Sequence, residues 1–331
     1  MEVYSLTDLL GFCQSPSCAQ DQTDPALMLD LRSAKIPAGE RGRINHWLSR
    51  RPIPVLALID DHCSLLEGLD IALTDESKIT AVYERICAYP QASAVLTQTT
   101  RMTSLLPMSS ALIAESLAYA TLQGGEAFSD WLNAHSRPSK PDPADAPVSL
   151  KRNGAALHIT LCSPSTRNAL SVAMRDGLSE AFALVAMDTT IQSAIVSAEG
   201  PCFSAGGDLT EFGTCADVSQ AHQIRQLQMP AGFIVDHTER YTFKLHGACI
   251  GAGIELPAFA KHVIAHPKTH FRLPEVEMGL IPGAGGCVSI PRRIGRHRTN
   301  LLALTGETLT AAQALDWGLI DAVDDSIESL E

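Results

Sequence analysis

The first half of the chain alternates short apolar runs with polar stretches of helical period. Ala26–Leu31 and Val55–Ile59 are apolar runs of strand length and read as buried strands. Glu40–Arg50 between them has a helical pattern that Arg51-Pro-Ile-Pro ends, so the three make a βαβ unit. Leu66–Leu73 reads either as a worn copy of a glycine turn found later or as part of a plain α/β packing domain. It lacks the glycine cluster and the Leu-Pro-Glu of the later segment, which favours packing. Met108–Gln123 is a helix, with Ser109 or Ser110 to cap it and Gly124-Gly125 to stop it. Ile113, Leu117, Ala120 and Thr121 fall on one face, and Phe128, Trp131 and Leu132 extend an apolar stripe that needs a packing partner.

Ser136–Pro147, rich in proline and without apolar period, reads as a linker. The pattern then changes. Asn153-Gly154 between Val148–Lys151 and Ala155–Leu161 is a hairpin signal, because both residues tolerate positive φ. Ser171 caps a helix reaching about Met187, whose Leu178, Ala181, Phe182 and Val185 have the spacing of a buried face. Ile191–Val196 reads as a strand leading into Cys202–Asp208. Asp217–Met229 reads as a helix, and Tyr241–Leu245 as a strand feeding Gly247–Gly253. Ile254–Ala260 reads as the first turns of a helix with Glu255 at its start. Leu301–Leu304 and Ala311–Leu315 read as short helices. Strand, glycine loop and helix thus occur twice, each loop at the edge of a sheet where α/β ligand sites lie. The expected organisation is a domain over 1–135, a linker over 136–147 and a second domain over 148–331.

Composition narrows the function classes. A length of 331 residues with 45% hydrophobic content supports two cored domains. A formal net charge of −12 argues against a general nucleic-acid or anionic-membrane surface. Nine cysteines without a CxxC pair, and a start without a positive, apolar leader, point to the cytoplasm.

The chemistry concentrates in His246–Gly286. Glycines let backbone N–H groups approach a ligand, and a helix N-terminus favours negative charge. Glu255 and Glu275 are two carboxylates near such a point, able to divide acid and base work if their surroundings separate their pKa values. With Pro164–Ser171, Cys202–Leu209, Leu304-Thr-Gly and Ala314–Asp321, the segment resembles the enoyl-CoA hydratase/isomerase family, the crotonases, over about Val148–Asp325. The resemblance implies an α/β, crotonase-like fold of ββα-type repeats in a sheet-and-helix spiral, behind an N-terminal α/β domain.

By that resemblance the Gly207 and Ala252 N–H groups form an oxyanion hole for a thioester enolate, although many relatives have glycine where this chain has Ala252. Glu255 and Glu275 match the family's two hydratase glutamates, one activating a water for C3 and the other protonating C2. Phe203, Ser204, Ala205, Gly206, Asp208, Gly251 and Gly253 belong to the two substrate loops. Arg167 is the candidate for CoA phosphates, with Lys151 and Arg152 nearby. The implied partners are an acyl-CoA substrate and further copies of the chain, with no cofactor beyond the substrate's coenzyme A and no metal. Relatives continue past the position of Asp321 through helices that cover the acyl pocket. The expectation here is a domain without that long tail, covered instead by residues 1–135. Glu277 is expected at the surface.

Rival readings are weaker. Gly251-Ala-Gly253 begins like a dinucleotide fingerprint, but Leu256 holds the third glycine position. His262, His266 and His270 are spaced by four, but Pro267 breaks the helix a metal site would need. A serine hydrolase lacks its G-x-S-x-G elbow. An isomerase, hydrolase or decarboxylase on the same scaffold, or a non-catalytic binding subunit, remain alternatives.

Overall fold

A computed structural model of the protein describes residues 2–14, 24–37, 39–60, 67–135 and 146–327. Most of the expected linker lies outside the described residues. The early apolar runs form a sheet as their pattern requires: β1 (Val3–Ser5), β2 (Leu27–Asp30), β3 (Val55–Leu58) and β4 (Ile71–Leu73) lie in that order, all parallel. Helices α1 (Leu6–Phe12) and α2 (Arg41–Ser49) complete βαβ connections. The sheet is buried on both faces, as parallel sheets are. Leu27, Leu29, Val55 and Ala57 face a local core with Trp47 and Leu48, whereas Met28, Leu56, Leu58 and Ile71 face the main core.

Helices α3 (Glu76–Ala88), α4 (Pro90–Thr103), α5 (Met108–Gln123) and α6 (Glu126–Ala134) follow. Next come β5 (Val148–Asn153), β6 (Ala156–Leu161), α7 (Val172–Met187), β7 (Ser193–Ala198), α8 (Val218–Gln228), α9 (Ala231–Ile234), β8 (Tyr241–Leu245), β9 (Ala248–Ile250) and α10 (Ala252–Glu255). The order ends with β10 (His262–Ala265), β11 (His270–Arg272), α11 (Gly286–Thr305), β12 (Leu309–Thr310), α12 (Ala311–Trp317) and β13 (Ala322–Val323). One six-stranded sheet runs β13-β10-β8-β7-β6-β5, parallel except for the β5–β6 hairpin. A small sheet runs β12-β11-β9. Successive ββ units give one strand to each sheet: β8 and β10 to the large, β9 and β11 to the small. This is the crotonase-like α/β spiral.

Several expectations need correction. The hairpin turns at Gly154 and Ala155, since Asn153 still pairs with Ala156. The helix expected over Ile254–Ala260 is the four-residue α10 followed by a tighter turn at Pro257–Phe259, because Pro257 cannot donate to a continuing α-helix. The short helix expected at Leu301–Leu304 is the end of the twenty-residue α11, kinked at Gly295. Helix α5 has the expected bounds, but Pro107 takes the N-cap position and neither serine caps it. Its buried residues are Ala111, Glu115, Ser116 and Leu122, while Ile113 and Leu117 are exposed. The polar residues point inward because partners wait for them there. His262, His266 and His270 lie on or between strands β10 and β11, and no metal-holding group of His, Cys, Asp or Glu occurs among the described residues. No helix among those residues is long and apolar enough to cross a membrane.

The two halves share one core, in which Ile79, Leu96, Ala111 and Phe128 pack with residues of the spiral. Polar ties cross the seam. Asp70, fully buried, accepts from Val55 N at 2.8 Å and pairs with Arg101 and with Arg296, the latter at 2.7 Å. Thr103 Oγ1 donates to Cys287 O at 2.6 Å, and Thr100 Oγ1 to Asn300 Oδ1 at 2.8 Å. A fragment comprising residues 148–331 would expose the main core along this seam. It is expected to aggregate or to lack activity when expressed alone. A soluble, fully active fragment in gel filtration and assay would contradict that.

Candidate active site

Chain pairing at the sheet edges places the two glycine loops side by side. After β7, Ser204 N donates to Ala248 O at 3.2 Å and Ile250 N donates to Ser204 O at 3.0 Å, so Ser204 pairs in parallel with Cys249. On its other flank Leu170 N donates to Gly206 O at 2.7 Å. These bonds use the N–H groups around Gly207 and Ala252 but not their own, which have no hydrogen-bond partner among the described residues. Both residues line a cavity of about 330 Å³ together with Glu255 and Glu275. Two free backbone donors on one cavity wall can hold a developing oxyanion.

Glycine brings the carboxylates in. A Cβ on Gly251 would collide with Glu275 Oε1 and lie 3.6 Å from Glu255 Oε1, so both acids face one point. A Cβ on Gly286 would meet Glu255 Cγ at 2.6 Å. Glu255 is 2% exposed, and its Oε2 accepts from Ala284 N at 2.7 Å and Gly286 N at 2.9 Å. Burial pushes its carboxyl up to about 7, against those two donors, which favour the anion. Glu275 Oε2 is buried without a hydrogen-bond partner among the described residues. Burial, then the charge of Glu255, raises the Glu275 carboxyl well above the usual range. The two acids therefore differ: Glu255 has two N–H donors that favour its anion, and Glu275 Oε2 has none among the described residues.

A third carboxylate was not foreseen. Glu115 of α5, 2% exposed, accepts from Gly285 N at 2.7 Å and Cys287 N at 2.8 Å. Burial and the Glu255 charge raise it as well. The signal was a lone acid in the apolar run Ala111-Leu-Ile-Ala-Glu-Ser-Leu. The N-terminal helices also line the cavity, through Tyr119, Gln123 and Phe128. Phe128 and Trp131 pack with Phe212, each at 6.4 Å between ring centroids, and the Phe212 ring covers Gly207. A second cavity, of about 310 Å³, shares Gly207, Phe212 and Glu275 with the first and is lined further by Ala205, Gly206, Gly251 and Arg272.

Other expected site residues act through the scaffold. Phe203, Ser204 and Gly253 line only a gap of about 20 Å³ in the core. Ser204 Oγ donates to Asn168 O at 2.8 Å and accepts from Gly206 N. Asp208 lines the main cavity, but its carboxylate holds Thr210 N and Oγ1. Arg167 has an exposed side chain outside these cavities, and its carbonyl accepts from Ala205 N at 3.0 Å. Arg152 pairs with Asp188 at 2.9 Å. Glu277, expected at the surface, is half-buried between Arg85, at 2.6 Å, and Arg272, at 3.0 Å, where it ties α3 to the small sheet.

Comparison with known proteins points the same way. A family model described as enoyl-CoA hydratase/isomerase matches residues 151–331. The 2,3-dehydroadipyl-CoA hydratase of Escherichia coli is 31% identical over 182 residues, 55% of this chain and 71% of that protein. A trans-2-decenoyl-[acyl-carrier-protein] isomerase of Streptococcus mutans is 32% identical over 172 residues, 51% of this chain and 65% of that protein. The crystal structure of enoyl-CoA hydratase from Thermoplasma volcanium GSS1 matches with a TM-score of 0.51 at 30% identity, covering 55% of this chain and 73% of that one.

Glu115→Gln keeps the side chain's shape but turns an amide donor toward one of the N–H groups of Gly285 and Cys287. The variant is expected to lose about 1–3 kcal/mol of stability, read as a lowered Tm. An unchanged Tm would show that Glu115 does not hold the loop.

Proposed function

The chain belongs to the enoyl-CoA hydratase/isomerase family, and from that premise we propose that it adds water reversibly to a 2-enoyl-CoA thioester. The thioester oxygen lies between the Gly207 and Ala252 N–H groups, and a water lies between Glu255 and Glu275. Glu255 takes a proton from the water as its oxygen bonds to C3. The C2–C3 π pair moves to C2–C1, and charge gathers on the thioester oxygen, where each donor is worth roughly 3–4 kcal/mol. As the enolate collapses, Glu275 gives its proton to C2. Glu255 is left protonated and Glu275 ionised, so a proton passing between them through the next water restores the site. Arg167, exposed beside the first loop, is the group for the CoA phosphates. No cofactor beyond the substrate's own coenzyme A is needed.

The observation that supports this reading most is the unequal pair on one cavity wall. Glu255 has two N–H donors that favour its anion, and Glu275 Oε2 has none. A base and an acid are thereby distinguished before substrate arrives. Isomerisation on the same scaffold is the second reading, favoured by the likeness to the Streptococcus mutans isomerase. It needs one carboxylate to move a proton and no water.

Glu255→Gln and Glu275→Gln should each lower hydration kcat by about 10²–10⁴ with little change in the affinity for a saturated acyl-CoA. The double variant should lose far less than the product of the two losses, since the groups act as a unit. If Glu255→Gln keeps full turnover while double bonds migrate, isomerisation replaces hydration.

The pH profile is fixed by sign. Glu255 must be ionised to act as base, so kcat/KM rises with pH through about 7. Glu275 must be protonated, and burial raises its carboxyl, so kcat/KM falls again where that proton is lost. A flat profile through pH 7, measured at constant ionic strength, would contradict the assignment.

A further inference from the structure

The wall that α5 and α8 give to the catalytic cavity holds a charge that hydration does not use. Arg225, half-buried, lines it beside Tyr119, Gln123, Ile224 and Met229. Its Nε donates to Ser116 Oγ at 3.1 Å, Nη1 to Gln123 Oε1 at 3.1 Å and Nη2 to Ser116 O at 3.4 Å, with the Tyr119 ring 4.7 Å away. All these partners are neutral. A guanidinium has five N–H donors, so one on each Nη is left over.

No described acid of the cavity wall pairs with Arg225 directly, and Glu115 acts on it only through charge at a distance. Among the described residues Arg225 takes part in no ion pair within 4.0 Å. Glu115 spends both oxygens on Gly285 and Cys287, Asp208 serves Thr210, and Glu211 accepts from Val172 N. The other arginine of the lining, Arg175, has Asp176 at 2.6 Å. Gln123 gives its oxygen to Arg225, which leaves its amide N–H groups for a ligand.

A plain alkyl chain in this cavity would press against a desolvated cation, which is costly. A carboxylate would instead meet a planar fork of donors that matches it. Resting on the reading of this cavity as an acyl-CoA site, we propose that Arg225, with Gln123, receives a carboxylate at the far end of the acyl chain. The preferred thioesters are then those of dicarboxylic acids, held by the oxyanion pair at one end and by Arg225 at the other.

Calorimetry with saturated thioesters tests this apart from turnover, using adipyl-CoA against hexanoyl-CoA and suberyl-CoA against octanoyl-CoA. The protein should bind the carboxylated member of at least one pair tenfold or more tighter. Arg225→Met should abolish that ratio, and Arg225→Lys should keep part of it. Equal or weaker binding of the carboxylated members would overturn the proposal. So would an Arg225→Met variant that weakens both members of a pair in proportion, which would make Arg225 only a tie between α5 and α8. If that variant does not fold, the unmodified protein's ratios and Arg225→Lys decide. Hydration assays on the matching 2-enoyl thioesters separate the two readings. A binding preference without hydration would overturn the hydratase reading alone, and hydration without the preference would overturn this one alone.

Discussion

Four consecutive backbone N–H groups, from Ala284 to Cys287, hold the structure's chemistry and its two halves together. They alternate in direction: Ala284 and Gly286 donate to Glu255, and Gly285 and Cys287 donate to Glu115. The groups belong to the start of α11, where helix N–H donors lack intrahelical partners and the dipole favours negative charge. Two buried carboxylates are tolerated there because each has two donors. Gly286 is required because a Cβ would collide with the Glu255 side chain. The same turn therefore fixes Glu255 and fastens α5 of the first half to the spiral of the second.

The difference in hydrogen bonding between Glu255 and Glu275 follows from where these donors end. Glu275 is half-buried, with its Oε2 sealed from solvent and without a comparable pair of donors among the described residues, and the neighbouring charge raises it further. Burial alone would push both carboxyls upward together; unequal hydrogen bonding separates them. The N-terminal helices then finish the enclosure. Phe128 and Trp131 pack on Phe212, whose ring covers Gly207, and Tyr119 and Gln123 meet Arg225 of α8 on the cavity wall. The cavity wall thus combines Tyr119, Gln123 and Phe128 from before the family match with Arg225, Gly207 and the two glutamates from within it.

That division also explains what was legible in the sequence. The glycine loops, Glu255 and Glu275 are local, because close backbone approach demands small residues at fixed spacings. The βαβ unit and the bounds of α5 and α7 followed from apolar period and stop signals. The inward face of α5 did not. A hydrophobic stripe points to Ile113 and Leu117, but Glu115 is drawn inward by the N–H groups of Gly285 and Cys287, and Ser116 by His222 and Arg225. Glu277 is half-buried for the same reason, since Arg85 reaches it from a distant helix. Long-range satisfaction of polar groups outranks local amphipathicity here, and no single segment records it.

The central claim is that water adds across a double bond between two glutamates of unequal acidity. Isotope placement tests it most directly. A 2-enoyl-CoA incubated with the protein in H₂¹⁸O, and separately in D₂O, should yield a 3-hydroxyacyl-CoA with ¹⁸O at C3 in the first case and one deuterium at C2 in the second, read by mass spectrometry. Recovery of thioester with deuterium but no ¹⁸O, or with a migrated double bond, would contradict the account.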